Sequence, residues 1–490
     1  MNEKVVVALD LGTTGNRAIA FNKRGETVAK SYYEFPQYFP EPGWVEHDPL
    51  ELYGTALKAL KDVVAEAGAQ NISSIGITNQ RETTVIWDKK TGKPIYNAIV
   101  WQCRRTEKIC AELKKYSGIF KEKTGLFLDP YFSGTKIKWI LDNVEGAREK
   151  ARRGELLFGT PDTWVLWNLT AGKTHATEPS NASRTLIYNI NSLSFDKELL
   201  EILSIPAGIL PQVKDSDAFF GLTDKSVTGL EIPVRGMLGD QQASLFAHNG
   251  WEKGTAKATY GTGIFMLTNT GDKLVSSPSL VSTIASKTAE GVSYALEGSI
   301  FSGGAAVQWL RDNIEIIGSG AETEKMACSL EGNDNIYFVP AFQGLGAPYW
   351  DSNARGLLIG ITRKTSKENI ARAVIESMAY QVKDVADEMK KAFGAELAKL
   401  RVDGGACANN FLMQFQSDLL GFPVERPRII ETTALGAAGI SAIASGFWSR
   451  EEFQKVMSVE RIFRPAMNPE KAASLYAQWQ KAVERSRSWA

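Results

Sequence analysis

The sequence predicts an α/β protein of two domains, each a sheet covered by helices. Three observations carry that reading. The chain has 490 residues, more than one ordinary core holds and suited to two domains of roughly 250 residues. Apolar strand-like runs alternate with amphipathic helical stretches. A strand, a Gly/Thr turn and a second strand occur at 5–22 and again at 254–271. The likeness is architectural, and it divides the chain into domains 1–248 and 249–490.

In chain order, VVVALDLG (5–12) is an apolar run that ends in a Gly-Thr-Thr-Gly turn. RAIAFN (17–22) and TVAKSYYEF (27–35) follow as strands joined by the turn KRGE. Residues 49–69 carry Leu52, Tyr53, Ala56, Leu57, Leu60, Val63 and Val64 at helical spacing. ISSIGIT (72–78) reads as a buried strand running into polar QRETT. In the second half, the strands at 254–271 are followed later by a helix at 368–394, a strand at 400–405 and a helix at 409–421. TTALGAAGISAIASGF (432–447) is too short and too rich in Gly, Ser and Ala for a membrane span, so a closely packed buried helix is expected. The C-terminal segment from Asn468 reads as an amphipathic helix for packing or subunit contact.

Composition narrows the function classes. Lys plus Arg and Asp plus Glu are 56 each, so there is no electrostatic footprint for a nucleic acid or an anionic membrane. Cys103, Cys110, Cys328 and Cys407 form no CxxC pair or zinc spacing, and read as reduced thiols of a cytoplasmic protein. His47, His175 and His248 are too scattered for a histidine metal site. Asp10 interrupts the N-terminal apolar run, which argues against a signal peptide.

Three passages point to a bound nucleotide. DLGTTGNR (10–17) puts a carboxylate at a strand end, then glycines and hydroxyls at once. Turn N–H groups can form an anion-binding concavity, and Asp10 could hold Mg2+ directly or through water. A plain hairpin turn accounts for the same residues. YGTG (260–263) offers a second such turn, and GGACANN (404–410) joins a strand to a helix whose N-terminus could receive phosphate or adenosine. Close strand–helix packing would also need those glycines. Two further passages are polar. Arg81 and Glu82 in QRET suit vicinal hydroxyls, or an ordinary ion pair. Asp240 in GDQQA could accept a hydroxyl proton, or cap a helix. Trp101, Tyr131 and Phe265, taken singly, read as core residues.

Together DLGTTGNR, ITNQRETT, NAIVWQCRRT, DPYFSGTKIKWILD, GDQQASLF, YGTGIFML, PAFQGLGAPYWD and RVDGGACANNFLMQFQSD resemble the glycerol kinases of the FGGY group of carbohydrate kinases, from about residue 5 to beyond 460. The resemblance implies an actin-like, ribonuclease-H-like fold in both domains, with an ATP and substrate cleft between them. It implies ATP-dependent phosphorylation of glycerol to sn-glycerol 3-phosphate, the entry step of glycerol catabolism, with Mg2+. Thr13, Thr14, Gly15 and Arg17 match the first phosphate motif, and Asp10 its Mg2+-associated carboxylate. Thr262 matches the second phosphate turn; Gly304, Gln308, Gly405 and Asn409 match nucleotide contacts. Arg81, Glu82, Tyr131, Asp240 and Gln241 match the glycerol site, Trp101 and Phe265 its apolar wall, and Asp240 also the catalytic base. A homodimer or homotetramer is expected.

The alternatives are an FGGY kinase for another polyol or ketose, an actin-like ATPase without a polyol acceptor, and a silent binding protein. Some bacterial relatives carry a Gly-Gly-Thr-Arg loop for fructose 1,6-bisphosphate, or a phosphorylatable His. DKSVTGLEIPVRG (224–236) lacks that loop and no His lies between His175 and His248, so neither mode of regulation is expected.

Overall fold

The computed structural model describes residues 3–394 and 396–490. Its principal strands and helices are numbered in chain order. The first half holds β1 (Val5–Leu11), β2 (Gly15–Phe21), β3 (Thr27–Glu34), β4 (Ile72–Asn79), β5 (Phe219–Leu222) and β6 (Pro233–Gly239). They form one sheet in the order β5-β6-β4-β1-β2-β3. The hairpins β1/β2 and β2/β3 are antiparallel, while β4 runs parallel to both β1 and β6. Residues between β4 and β5 add a separate apolar cluster around Phe132, Ile137 and Phe158.

Helix α1 (Pro49–Ala67) starts where expected. Asp48 accepts a hydrogen bond from the Leu50 N–H, Pro49 opens the first turn, and Gly68 at φ 80° ends the helix. Its buried face is Leu52, Ala56, Ala59, Leu60, Val63 and Val64, packed on β2 and β3. Helix α2 (Ser133–Asn143) follows the DPYF segment, and α3 (Asp240–Ala247) follows β6 directly.

The second half repeats the plan. Strands β7 (Ala256–Tyr260), β8 (Ile264–Gly271), β9 (Val281–Thr288), β10 (Gly291–Ile300), β11 (Leu400–Asp403), β12 (Val424–Pro427) and β13 (Val459–Phe463) pair in the order β9-β10-β8-β7-β11-β12-β13. Again a central strand, β7, pairs antiparallel with its hairpin partner and parallel with β11. So β1, β2, β4 and β6 correspond to β7, β8, β11 and β12. This is the actin-like, ribonuclease-H-like topology expected from the sequence, present twice.

Helices α4 (Gly304–Asp312), α5 (Lys367–Phe393) and α6 (Asn410–Leu420) belong to the second half. The long α5 is held at its start by a Ser366/Asn369 capping box and stopped by Gly394 at φ 69°. Helix α7 (Thr432–Ala444) crosses the division between the sheets. It follows β12 in sequence, yet packs on α3 and across β1, β4 and β6 of the first sheet. Small residues permit this approach: a Cβ on Gly436 would stand 1.8 Å from the Ala243 carbonyl oxygen. Helix α8 (Pro469–Ser486) buries Trp479 against the second core. Among the described residues no helix is long and apolar enough to cross a membrane, and 432–444 is a buried helix.

Parallel strands deliver their carboxyl ends to one edge of a sheet, where α/β proteins bind ligands. Leu11 and Gly239 are both in register with Asn79. The segments after β1, β4 and β6 therefore emerge side by side. In the second sheet Thr259 pairs with Asp403, so the 261–263 turn and the 404–408 turn do the same. The two edges face each other: Ser244 on α3 donates to Asp403 Oδ2 at 2.6 Å.

Candidate active site

The first cavity lies between the two edges. It has a volume of about 310 Å³, and Asp10, Gly12, Arg17, Asp240, Thr259, Asp403, Gly404 and Gly405 line it with residues 430–434. Asp10 and Arg17 face each other across the β1/β2 hairpin at 3.6 Å. Burial pushes the Asp10 carboxyl up to about 6; Arg17 pulls it down and Asp240 pushes it further up. Thr13 and Thr14 form the tip of the turn between the strands. Gly15 lies within β2, where a Cβ would meet the Tyr32 hydroxyl at 2.7 Å, so its bareness serves strand packing.

A second cavity of about 410 Å³ meets the first at Gly405. Gly304, Gln308, Gly405 and Asn409 line it with Val307, Arg311, Thr323, Glu324 and Ile375. Gly404 and Gly405 differ in what they need. Gly404 has φ 86° and a Cβ there would stand 2.6 Å from the Tyr260 carbonyl oxygen, whereas a Cβ on Gly405 would meet nothing within 4 Å. Only the first is required by the fold; the second keeps the junction of the cavities open. Thr262 stays exposed at its turn. Its carbonyl accepts from the Gly303 and Ala305 N–H groups, so the start of α4 is spent on that turn and leaves fewer N–H groups for an anion.

Beside the first cavity lies a buried polar cluster. Arg81 and Glu82 sit in the loop after β4, both sealed from solvent. Arg81 Nε is 3.3 Å from Asp240 Oδ1, and its Nη2 donates to the Tyr131 hydroxyl at 3.3 Å. Asp240 begins α3, but its Oδ1 accepts from the adjacent Gln241 N–H at 2.7 Å. The cap residue is Gly239, which makes no side-chain bond. The Asp240 side chain is 31% exposed against 2% for Arg81, so it is the carboxylate shared by cluster and cavity. Trp101, Tyr131 and Phe265 form an edge-to-face trio with centroids 5.7 and 6.0 Å apart. Gln241 turns its Oε1 to Lys257 at 2.6 Å.

Residues 5–247 match the N-terminal domain, and residues 256–445 the C-terminal domain, of the FGGY family of carbohydrate kinases. The chain belongs to that family. A glycerol kinase of Caldanaerobacter subterraneus subsp. tengcongensis is 57% identical over 99% of both chains. Glycerol kinase 2 of Thermotoga maritima is 56% identical over 99% of both. A crystal structure of Plasmodium falciparum glycerol kinase with ADP superimposes with a TM-score of 0.92, at 35% identity, covering 99% of this chain and 98% of that one.

In this FGGY kinase Gln308, Gly405, Asp240, Arg81 and Tyr131 run in an unbroken line from the second cavity through the first to the buried cluster, whereas Thr13, Thr14, Gly15 and Thr262 line neither cavity. Sequence reasoning missed Arg184, Glu297, Lys257 and Asp403. Arg184 donates to Glu82 Oε1 at 2.6 Å and to Glu297 Oε1 at 2.8 Å. Burial alone would raise the Glu297 carboxyl, but Arg184 and Arg81 outweigh it and hold it at about 2. Burial lowers the Lys257 ammonium to about 8, with Asp403 and Asp240 opposing the shift. Asp403 accepts from Ser244, His248 and Thr432. Only its position at the end of LRVD, just before the Gly-Gly turn, could have flagged it. None of the four cysteines is in a disulfide.

Proposed function

We propose that this FGGY kinase transfers the γ-phosphoryl group of ATP to a glycerol hydroxyl, forming sn-glycerol 3-phosphate. One observation carries the reading: Asp240 both lines the cavity of Asp10 and Arg17 and contacts Arg81 of the buried polar cluster that includes Tyr131. A phosphoryl donor in the cavity and a polyol at the cluster would meet at its carboxylate. The high identity to glycerol kinases along the whole chain supports glycerol as the polyol.

Phosphoryl transfer asks for positioning and charge stabilisation more than covalent chemistry. Adenosine would occupy the cavity of Gly304, Gln308 and Asn409, with the phosphates crossing Gly405 toward Thr13, Thr14, Gly15, Arg17 and Thr262. Arg81 would donate to polyol hydroxyls, while Glu82, whose Oε2 is left without a partner by Arg184, would accept from one. Trp101 and Phe265 would cover the carbons. Asp240 Oδ1 is occupied by Gln241 and Arg81, which leaves Oδ2 to orient the attacking hydroxyl and take its proton.

The donor set also suits Mg2+. Among the described residues no three carboxylates converge into a metal cage, so Asp10 would be a single protein ligand to an ion held otherwise by water and phosphate oxygens, and its raised carboxyl would be relieved by that cation. Asp10 would hold the ion, which when bound neutralises charge on the phosphate oxygens. ATP as co-substrate and unpaired thiols fit a cytoplasmic enzyme.

A coupled ADP-release assay with glycerol, xylulose, ribulose, erythritol and dihydroxyacetone tests the reading. Glycerol should support the highest kcat/KM. No glycerol-dependent ADP release would sink it.

A further inference from the structure

Glu297 lies in the middle of β10, in the second sheet, and its side chain is fully buried. All its strong partners outside its own strand come from the first half of the chain. Both oxygens meet Arg81, Oε2 with Nη1 at 2.5 Å and Oε1 with Nη2 at 3.1 Å. Arg184 Nη2 adds a bond to Oε1 at 2.8 Å, and Ser299 Oγ another at 3.1 Å. Arg184 then reaches Glu82. The result is a sealed chain Arg81–Glu297–Arg184–Glu82 of two cations and two anions.

A buried ion network is weak support for stability, because well-packed apolar residues often serve as well. The geometry suggests another use. Arg81 and Glu82 are adjacent in sequence, and their own contact is loose, at 3.8 Å. Left alone they would pair with each other, and Arg81 would also draw in Asp240. Glu297 instead occupies the Nη edge of Arg81, with Gln242 and the Tyr131 hydroxyl as further Nη partners, so that Nε is the group that addresses Asp240. Arg184 occupies one Glu82 oxygen and leaves the other free.

We infer that Glu297 and Arg184 are a pair of positioning residues that hold Arg81 and Glu82 apart and aimed at the polyol, so that the polyol pocket of the first half is complete only when the second half is docked on it. The inference rests on the proposed polyol phosphorylation and names what sets the shape of its acceptor site.

The test is steady-state kinetics of Glu297→Gln and Arg184→Gln, with ATP binding measured by calorimetry. Truncating one member of a buried, hydrogen-bonded charge pair should raise the glycerol KM on the order of 10–100-fold. The ATP Kd should stay within about twofold, which a general loosening of the fold would not allow. The double variant should be little worse than either single one, since both break one chain. A soluble Glu297→Gln enzyme with a near-normal glycerol KM would overturn the inference. If that variant is insoluble, Arg184→Gln decides by the same criterion. Insolubility of both would make the network a scaffold only, and the inference would fall. Wild type is measured first: without glycerol turnover the parent reading fails, and the variants are run on whichever polyol of the panel is consumed. If none is consumed, both fail.

Discussion

The indole Nε1 of Trp101 donates to the hydroxyl of Thr13 at 3.0 Å. One bond thus joins the Trp101–Tyr131–Phe265 aromatic trio to the tip of the β1/β2 turn, the two parts assigned above to polyol and phosphate binding. A neutral hydrogen bond of this kind contributes about 0.5–1.5 kcal/mol net. Trp101→Phe keeps a single aromatic ring but loses the indole N–H and its bond, so the KM for glycerol and that for ATP should both rise, by roughly two- to tenfold. Thr13→Val should do the same, and a double-mutant cycle should be non-additive. Independent effects would mean that the bond does not couple the two subsites.

Asp240→Asn should lower kcat by about 10²–10⁴, the usual range for a lost general base. ATP should still bind, since the substitution keeps the shape at the cavity wall. Rapid-quench turnover and calorimetry together check this. Near-normal turnover would remove Asp240 as the base.

The raised Asp10 carboxyl sets a pH dependence. Its folded value of about 6 lies above the ordinary carboxylate value of 3.8, so between them the folded state binds more protons than the unfolded one. In the absence of a cation, its contribution to stability is full below the lower value and is lost as pH rises through about 6. A divalent cation reverses the trend, because it binds the ionised form. Thermal stabilisation by Mg2+ with ATP should therefore be larger at pH 7 than at pH 5, and Asp10→Asn should flatten that difference. Equal melting shifts at both pH values in wild type would count against Asp10 as the ligand.

Lys257 holds Gln241 Oε1 and Thr259 Oγ1 at 2.6 and 2.7 Å. A bond to a charged group contributes about 1.5–3 kcal/mol, so Lys257→Met should raise the glycerol KM on the order of tenfold or more. Gln241→Ala should mask most of that effect in the double variant. Initial-rate kinetics of the three proteins decide it.

Two adjacent glycines should behave in opposite ways. Gly405→Val places its side chain in open space, so the melting temperature should hold while the ATP KM rises steeply. Gly404→Ala forces a Cβ against Tyr260 at φ 86°, and should cost on the order of 1–3 kcal/mol of stability before any kinetic effect is read. Calorimetric melting and ATP titration separate the two cases.

The Gly/Thr turns and Asp240 stood out in the sequence because their signals are local. A carboxylate at a strand end followed by glycines is contained within eight residues. Strands and helices were legible for the same reason, to within a residue or two at 49–67 and 367–393. Arg184 and Glu297 carry no such signal. SRTL and ALEG read as ordinary strand or loop sequence, and their meaning appears only when residues 216 apart in the chain are brought together. Composition showed that 432–447 would be buried, but not that it would cover the other sheet. Gly15 matches the phosphate motif by resemblance, and only the structure shows that its lack of a side chain also lets Tyr32 of the neighbouring strand lie against it.

The placement of α7 bears on how the protein is made. The face of the first sheet that α7 covers is complete once Gly239 has been synthesised, but its cover begins only at Thr432. At about 5–20 residues per second, about 190 residues of further synthesis leave that apolar surface open for roughly 10–40 s. The early half of the nascent chain is thus a client for a holding chaperone. A ribosome-stalled fragment ending before α7 should bind a hydrophobic dye that the finished chain excludes.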